Sequence, residues 1–381
     1  MKTNRFYIIV VAVALLMTSC RNNDSQMLTI INEDGTCSRE MSFHPYPKEV
    51  MAQLNEPIES SCLHFGTDWQ RTWSVAGDSV RHPCPMTEAQ WDSLRRPEEN
   101  VSNKILMHTK RNYQNVGEMS DSLTSIVGHL FKATASLDKH FKWFYTDYVY
   151  QETLAITDIE QIFSVPLDRF VSADTASYWF TGQPNLADGL TGAEQKELLD
   201  EIEANISHWF NACTMAFVYT YASLRYDEVK NPPVSKEQYL ALKDSIVMSP
   251  AVRNMDLFSD ISQVSKIIKD FYHSDAYTPL FSDSKEWERV LDKKYKSYEY
   301  LMMMAPQLDY VMPGKVIDAG NGVVDGDVVH YKFSGERLIP HPYDVTITSR
   351  VTNVWAFVVT ALVILLAIGC LFYRRIRKLI F

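Results

Sequence analysis

The chain lacks the short signatures that most directly announce a reaction. It has no Gly-x-Ser-x-Gly elbow, no His-Glu-x-x-His pair, no phosphate-cradling glycine-rich loop and no EF-hand loop. An esterase elbow, a zincin helix, a nucleotide-binding turn and a calcium hand are thereby excluded in their usual forms. Charge is missing from one place: residues 354–373 contain no Asp, Glu, Lys or Arg. Acidic residues are confined as well, since all 47 lie between Cys20 and Val354. Signs of disorder are lacking too, because 46% hydrophobic and 12% aromatic residues in a chain of 381 can bury a core.

The uncharged run sets the expected topology. Residues 354–373 would rise about 1.5 Å each and so match a hydrocarbon core of roughly 30 Å. Arg374, Arg375, Arg377 and Lys378 follow at once, and such clusters are retained on the cytoplasmic side. The reading is a single transmembrane helix at 354–373, a basic cytoplasmic tail at 374–381, and an extracytoplasmic, periplasmic body before them.

The other end agrees. Lys2 and Arg5 precede an apolar stretch over residues 6–17 and then Thr18-Ser19-Cys20, the form of a secretion signal whose core is short for a span. Leu16-Met17-Thr18-Ser19-Cys20 is similar to a bacterial lipobox, with Met17 where Leu is usual. The expectation is a signal peptide at 1–19, lipidation at Cys20 and a lipid-anchored spacer at 20–26. Helical spans belong to inner membranes, because outer membranes carry barrels. A bacterial inner-membrane lipoprotein tied at both ends is therefore expected.

Six of the 37 basic residues flank or follow the two anchors, which leaves 31 against 47 acidic ones in the body, a balance near −16. Nucleic acid and a general anionic lipid surface are poor partners for such a body, since like charge opposes encounter. The expected contacts are membrane lipid, through Cys20 and the helix, and an envelope protein partner. No cofactor is indicated.

Cys37, Cys62, Cys84 and Cys213 fall in the exported body, where disulfides persist. Cys62 and Cys84 both sit among turn-forming residues and are the first choice for a bridge. Their neighbours His64 and His82 complete a mirrored set, Cys62, His64, His82 and Cys84, with the donor chemistry of a zinc site but not the spacing of a finger or ribbon. Cys213 lies in an apolar helical stretch and reads as a buried small hydrophobe.

Along the body, residues 28–31 and 37–43 flank Asp34-Gly35, the pattern of a hairpin with a type I′ turn. Short helices are expected at 47–54 and after Thr87-Glu88-Ala89-Gln90, a capping box. Residues 104–113 read as extended and 117–131 as helical, from Met119, Leu123, Ile126 and Leu130. Residues 142–154 are dense in aromatic and branched side chains and read as a long central strand, whose aromatic stripe is read as core ahead of the alternative, a binding platform for rings or acyl chains. Helical spacing then dominates residues 172–180, 194–226, 235–248, 255–271 and 285–304, with capping boxes opening at Thr191 and Ser235. Strands return at 314–318, 327–333 and 343–351, the last running almost into the apolar helix. Arg337 and Arg350 lie near that edge as candidates for lipid phosphate, or as ordinary solvated arginines.

The fold class expected from this pattern is α+β. A mixed or antiparallel sheet domain is built from both chain ends, residues 27–158 and 306–353, and carries a large helical insertion at 159–305. The lipobox cysteine, the Asp34-Gly35-Thr36 hairpin, the closing strands and the single C-terminal span together resemble the LppM-type lipoprotein architecture at residues 1–43 and 312–381. The resemblance implies a surface α+β domain in contact with envelope lipids and carries over no catalytic residue.

Two constellations were weighed for chemistry. Glu197, Glu201 and His208 share one helical face and mimic a metal half-site, although an acidic solvent face explains them better. Asp147 and Glu152 sit at odd separation on one strand and should point to opposite faces. With no catalytic set in view, the expected function is a membrane-anchored binding or scaffolding module for a protein or lipid-derived partner. The alternative is a periplasmic hydrolase, possibly metal-dependent. A purely structural role through the span has one weak signal, the small pair Ala356 and Thr360.

Overall fold

The computed structural model describes residues 25–60, 63–94, 104–120, 122, 124–125, 131–157, 159–253, 255 and 261–380. Residues 1–24, with the expected signal peptide and Cys20, and Cys62 fall outside them. The architecture is α+β, with fifteen strands in three sheets and twelve α-helices among the described residues.

The chain opens with the hairpin of β1 (Gln26–Ile31) and β2 (Cys37–Phe43), closed by Ile31 facing Cys37. The turn differs from type I′. Gly35 alone adopts positive φ, its N–H donates to the Asn32 carbonyl, and the Asp34 carboxylate accepts from the Thr36 N–H and hydroxyl. A loop longer than two residues relieves Asp34 of the left-handed conformation that type I′ would demand. Next come α1 (Pro47–Val50), β3 (Ile58–Ser60), β4 (Leu63–Phe65), β5 (Gln70–Val75), β6 (His82–Pro83) and α2 (Glu88–Leu94). The box before α2 is formed, with Thr87 and Gln90 exchanging side-chain to backbone bonds.

After β7 (Ile105–Tyr113), within the stretch 117–131 expected to be helical, the described residues show only the short α3 (Val116–Met119). Thr124–Ser125 is instead a strand, β8, paired with β4. Leu123, Ile126 and Leu130 lie outside the described residues. Pairing with β4 offers this segment a hydrogen-bonded edge that helical spacing alone does not reveal. Two long strands follow, β9 (Lys132–Phe141), which has no strong sequence signal, and β10 (Tyr145–Ala155).

The helices are α4 (Ile159–Ile162), α5 (Ala173–Thr181), α6 (Gly192–Leu224), α7 (Lys236–Ala241), α8 (Lys243–Val247), α9 (Pro250–Arg253), α10 (Ser262–Tyr272) and α11 (Ser284–Met303). The capping boxes at Thr191 and Ser235 are both present. The helix expected at 235–248 is broken at Leu242 into α7 and α8. In α6, Ile202, Ile206, Trp209, Cys213, Ala216 and Val218 are buried, so its apolar stripe is the hub of the helical part. The chain ends with β11 (Gln307–Val311), β12 (Lys315–Asp318), β13 (Val323–Asp325), β14 (Val328–Lys332), β15 (Tyr343–Thr352) and α12 (Val354–Ile380). Neither β11 nor β13 is marked in the sequence.

Eight strands form one sheet in the order β13-β14-β11-β1-β2-β7-β5-β6, and four form another in the order β12-β15-β10-β9. The first strand and the first strand after the helices are neighbours, since β1 pairs with β11 in parallel from Gln26 with Gln307 to Ile30 with Val311. A parallel pair needs a long crossover, and here the helices supply it. In the second sheet β10 lies between β15 and β9, an interior strand as its composition suggests. Tyr148, Tyr150, Glu152 and Leu154 are buried on one face of β10. That face meets the inner face of the eight-stranded sheet, where Arg39 of β2 reaches Tyr150 and Glu152. Buried side chains of the sheets and of the helices form one continuous cluster.

Candidate functional site

The most organised feature outside the core is the junction of β15 with α12. One residue, Asn353, separates them. The Asn353 backbone N–H donates to the Phe144 carbonyl, and its side-chain amide donates to the carbonyls of Lys142 (2.8 Å) and Trp143 (3.3 Å). Its amide oxygen accepts from the Thr146 hydroxyl at 3.1 Å. All four partners belong to the tip of the β9–β10 hairpin or the start of β10. The hairpin tip thus clamps the first turns of α12. Trp143 donates its indole N–H to the Thr360 hydroxyl at 2.8 Å. Phe144 packs on Phe357, and Phe141 and Trp143 pack on Trp355. Ala356 is fully buried beneath them. The small pair Ala356 and Thr360, weighed above as a helix–helix contact, is therefore engaged by the chain's own hairpin.

Residues Val354–Arg374 of α12 have a mean hydropathy of 2.8, and only 6% of the most apolar window is buried. By length and composition this helix can cross a membrane. Above it, Arg350 forms a two-pronged ion pair with Asp147 (2.6 and 3.1 Å) and lies 3.8 Å over the Tyr145 ring. That hydrogen bond holds the Asp147 carboxyl below its usual range. Arg350 is thus neither a free lipid-phosphate ligand nor simply solvated, because Asp147 across the strand pair offsets its charge.

Asp147 and Glu152 do point to opposite faces. Glu152 is sealed between the sheets with Arg39, at 2.7 Å, and both side chains are fully buried. Tyr150 and Tyr310 donate to Glu152 at 2.9 and 2.7 Å, and Arg39 Nε donates to Thr29 at 3.1 Å. Burial pushes both tyrosine hydroxyls well up and opposes the Arg39 charge, which the Glu152 carboxylate restores. Sequence reasoning did not find this cluster, because its members come from strands far apart in the chain.

The opposite face of the eight-stranded sheet is polar. His108 bonds Ser42 through Nδ1 (2.8 Å) and Ser74 through Nε2 (2.9 Å), and Glu40 lies 3.6 Å from Nδ1. Arg81 grips Glu40 at 2.6 and 2.8 Å. Burial would raise the Glu40 carboxyl, but the adjoining His108 ring and the hydrogen-bonded Arg81 guanidinium win and hold it at about 2. The order Ser74, His108, Glu40 superficially follows that of an acyl-transfer triad. However, Ser74 is 2% exposed and Ser42 takes the Nδ1 position, so the set is a closed hydrogen-bond network rather than an offered nucleophile. A second pair, Asp309 and His330 at 2.6 Å, lies on the same face, on β11 and β14, two and three strands beyond β2.

The Glu40 network predicts an acid response. Because the folded carboxyl sits below its ordinary 4.5, the stability it contributes is complete above that value and is lost as pH falls toward about 2. Glu40→Gln should flatten this limb of a denaturation curve recorded against pH and lower the neutral plateau, because the contribution that the wild-type carboxylate makes there is lost.

The other sequence candidates are dispersed. His64 lies on β4, and the His82 ring stacks on Trp73 at 4.4 Å. Cys84 is a buried thiol that burial pushes up to about 11. Both the bridge and the zinc set depend on Cys62, outside the described residues. Among the described residues no group of three or more His, Cys, Asp or Glu is placed to share a metal. Glu197 and Glu201 are exposed on α6, whereas His208 stands edge-on to Phe170 and is held below its usual pKa by burial. Cys213 is buried beside a small cleft lined by Phe163, Phe210, Lys294 and Tyr298, and its thiol is pushed up to about 11. Arg337 lies in a short 3-10 turn, Gly335–Leu338.

No protein-family model matches the chain, and no curated protein or solved structure is significantly similar to it. The LppM-type likeness therefore rests on the two chain ends alone.

Proposed function

We propose that this chain is a single-pass envelope protein of the bacterial inner membrane, lipidated at Cys20, with its body on the periplasmic side. It serves there as a binding or scaffolding module for a protein or lipid-derived partner. One observation carries the reading: the apolar helix is fused to the interior of the fold through Asn353 and the hairpin clamp, with no flexible stalk. A mount of this kind holds the body at a set height and angle, which serves a module presented to neighbours more than a freely diffusing enzyme. The basic run after the helix supports the orientation. The acidic body supports a protein or neutral envelope component over nucleic acid.

The test is made on whole cells and spheroplasts. External protease should digest the body and spare residues 374–381, and crosslinking through the body should return one reproducible envelope partner. Protection of the body, with the tail clipped from outside, would overturn the orientation. Turnover of an envelope substrate without any crosslinked partner would instead favour the hydrolase. Cys20→Ala should abolish acyl labelling while the chain stays with the membrane, since a spanning helix holds far more firmly than one acyl chain.

A further inference from the structure

The hairpin clamp has a height as well as a grip. Trp143 bonds Thr360, which lies six residues into the helix from Val354, or about 9 Å down the axis at 1.5 Å per residue. Below that point only residues 361–373 remain uncharged, a length of about 20 Å against a hydrocarbon core of roughly 30 Å. The apolar helix fills the bilayer only if its first turns are immersed too. The hairpin tip beside those turns must then go in with them.

The surface of the tip suits that place. Phe141 and Trp143 pack on Trp355, and Phe144 packs on Phe357 two residues further along the helix, yet Phe141, Trp143, Phe144 and Trp355 remain 60, 46, 39 and 51% exposed. This is a contiguous aromatic collar of the kind found where membrane meets water. Its backbone suits that place as well. Irregular backbone in lipid needs internal partners for its polar groups, and Asn353 supplies donors to three successive carbonyls, those of Lys142, Trp143 and Phe144. The lone indole N–H of the tip is also satisfied, by Thr360. Beside the tip, Lys142 and Arg350 both stand over the Tyr145 ring, and Arg350 is paired with Asp147.

We propose that the tip of the β9–β10 hairpin is a lipid-contacting element. In this view Phe141, Trp143 and Phe144 sit in the headgroup–acyl boundary of the outer leaflet of the bilayer that α12 crosses. The inference rests on the membrane reading above and adds a second, non-helical membrane contact to it. The occupant of the collar is lipid, not a protein partner.

The full chain in its native membrane provides the test. Photoreactive benzoylphenylalanine is placed singly at Phe144, at Leu365 in the middle of the helix, and at Val80, an exposed position on the body. Adducts are then identified by mass spectrometry. Lipid adducts at Phe144 and Leu365, with none at Val80, are expected. Lipid adducts at Leu365 alone, with Phe144 bound to protein or unreacted, would overturn the hairpin contact and leave the span standing. No lipid adduct at Leu365 would overturn both. Phe141, also in the collar, provides a second site should the Phe144 variant fail to accumulate, and the same outcomes apply to it.

Discussion

Glu152→Ala should destabilise the fold by about 3–5 kcal/mol, the usual loss when one member of a buried ion pair is removed. The cause is what remains. Arg39 keeps its charge in a site with no solvent access, and Thr29 becomes its one neutral hydrogen-bond partner of good length. Tyr150 and Tyr310 lose their acceptor at the same time. Each hydroxyl left unpaired in the interior costs about 1–3 kcal/mol, and that cost is part of the total. Urea unfolding followed by tryptophan fluorescence measures the change. A shift below about 1 kcal/mol would mean that water or a rearranged side chain reaches Arg39, contrary to a sealed pair. Combining Glu152→Leu with Arg39→Met should recover part of the loss, because no charge is then stranded, but not the share owed to the two tyrosines.

Trp209→Ala should cost a similar amount, about 3–5 kcal/mol, through the cavity it leaves. Trp209 is among the largest fully buried side chains of the helical part. It packs against Phe163 and Phe210 at ring separations of 4.6 and 4.8 Å, and its indole N–H donates to the Val165 carbonyl at 2.7 Å. The two variants together make a sharper prediction. Trp209 belongs to the helices and Glu152 to the sheets, yet their surroundings form one buried cluster. Both should lower a single cooperative transition, monitored by calorimetry with the chain held in detergent. Two transitions, one moved by each variant, would show that the helical residues fold as a separate unit.

Local chemistry was well expressed in the sequence. The boxes at Thr87, Thr191 and Ser235 announced their helices because a capping bond is made within four residues. The alternation in β10 placed Asp147 and Glu152 on opposite faces for the same kind of reason, a period set by the backbone. Errors arose where a distant strand decided the outcome. Residues 124–125 had helical spacing but paired with β4, and β9 had little apolar signal yet pairs along the whole of β10. Trp143 and Phe144, whose composition suits a core stripe, lie at the hairpin tip and are exposed. Their exposure follows from the position of the turn, which composition does not specify.

By itself the sequence determined the elements whose causes are short-ranged: an uncharged apolar helix ahead of a basic cluster, capped helices, an alternating strand and an acidic body. Tertiary structure alone decided that β1 lies beside β11, that Arg39 finds Glu152, and that Asn353 binds the hairpin tip to the helix. Each of these contacts joins residues more than a hundred positions apart. Their energies depend on burial and geometry that exist only after the sheets have closed, so no local pattern of side chains could have announced them.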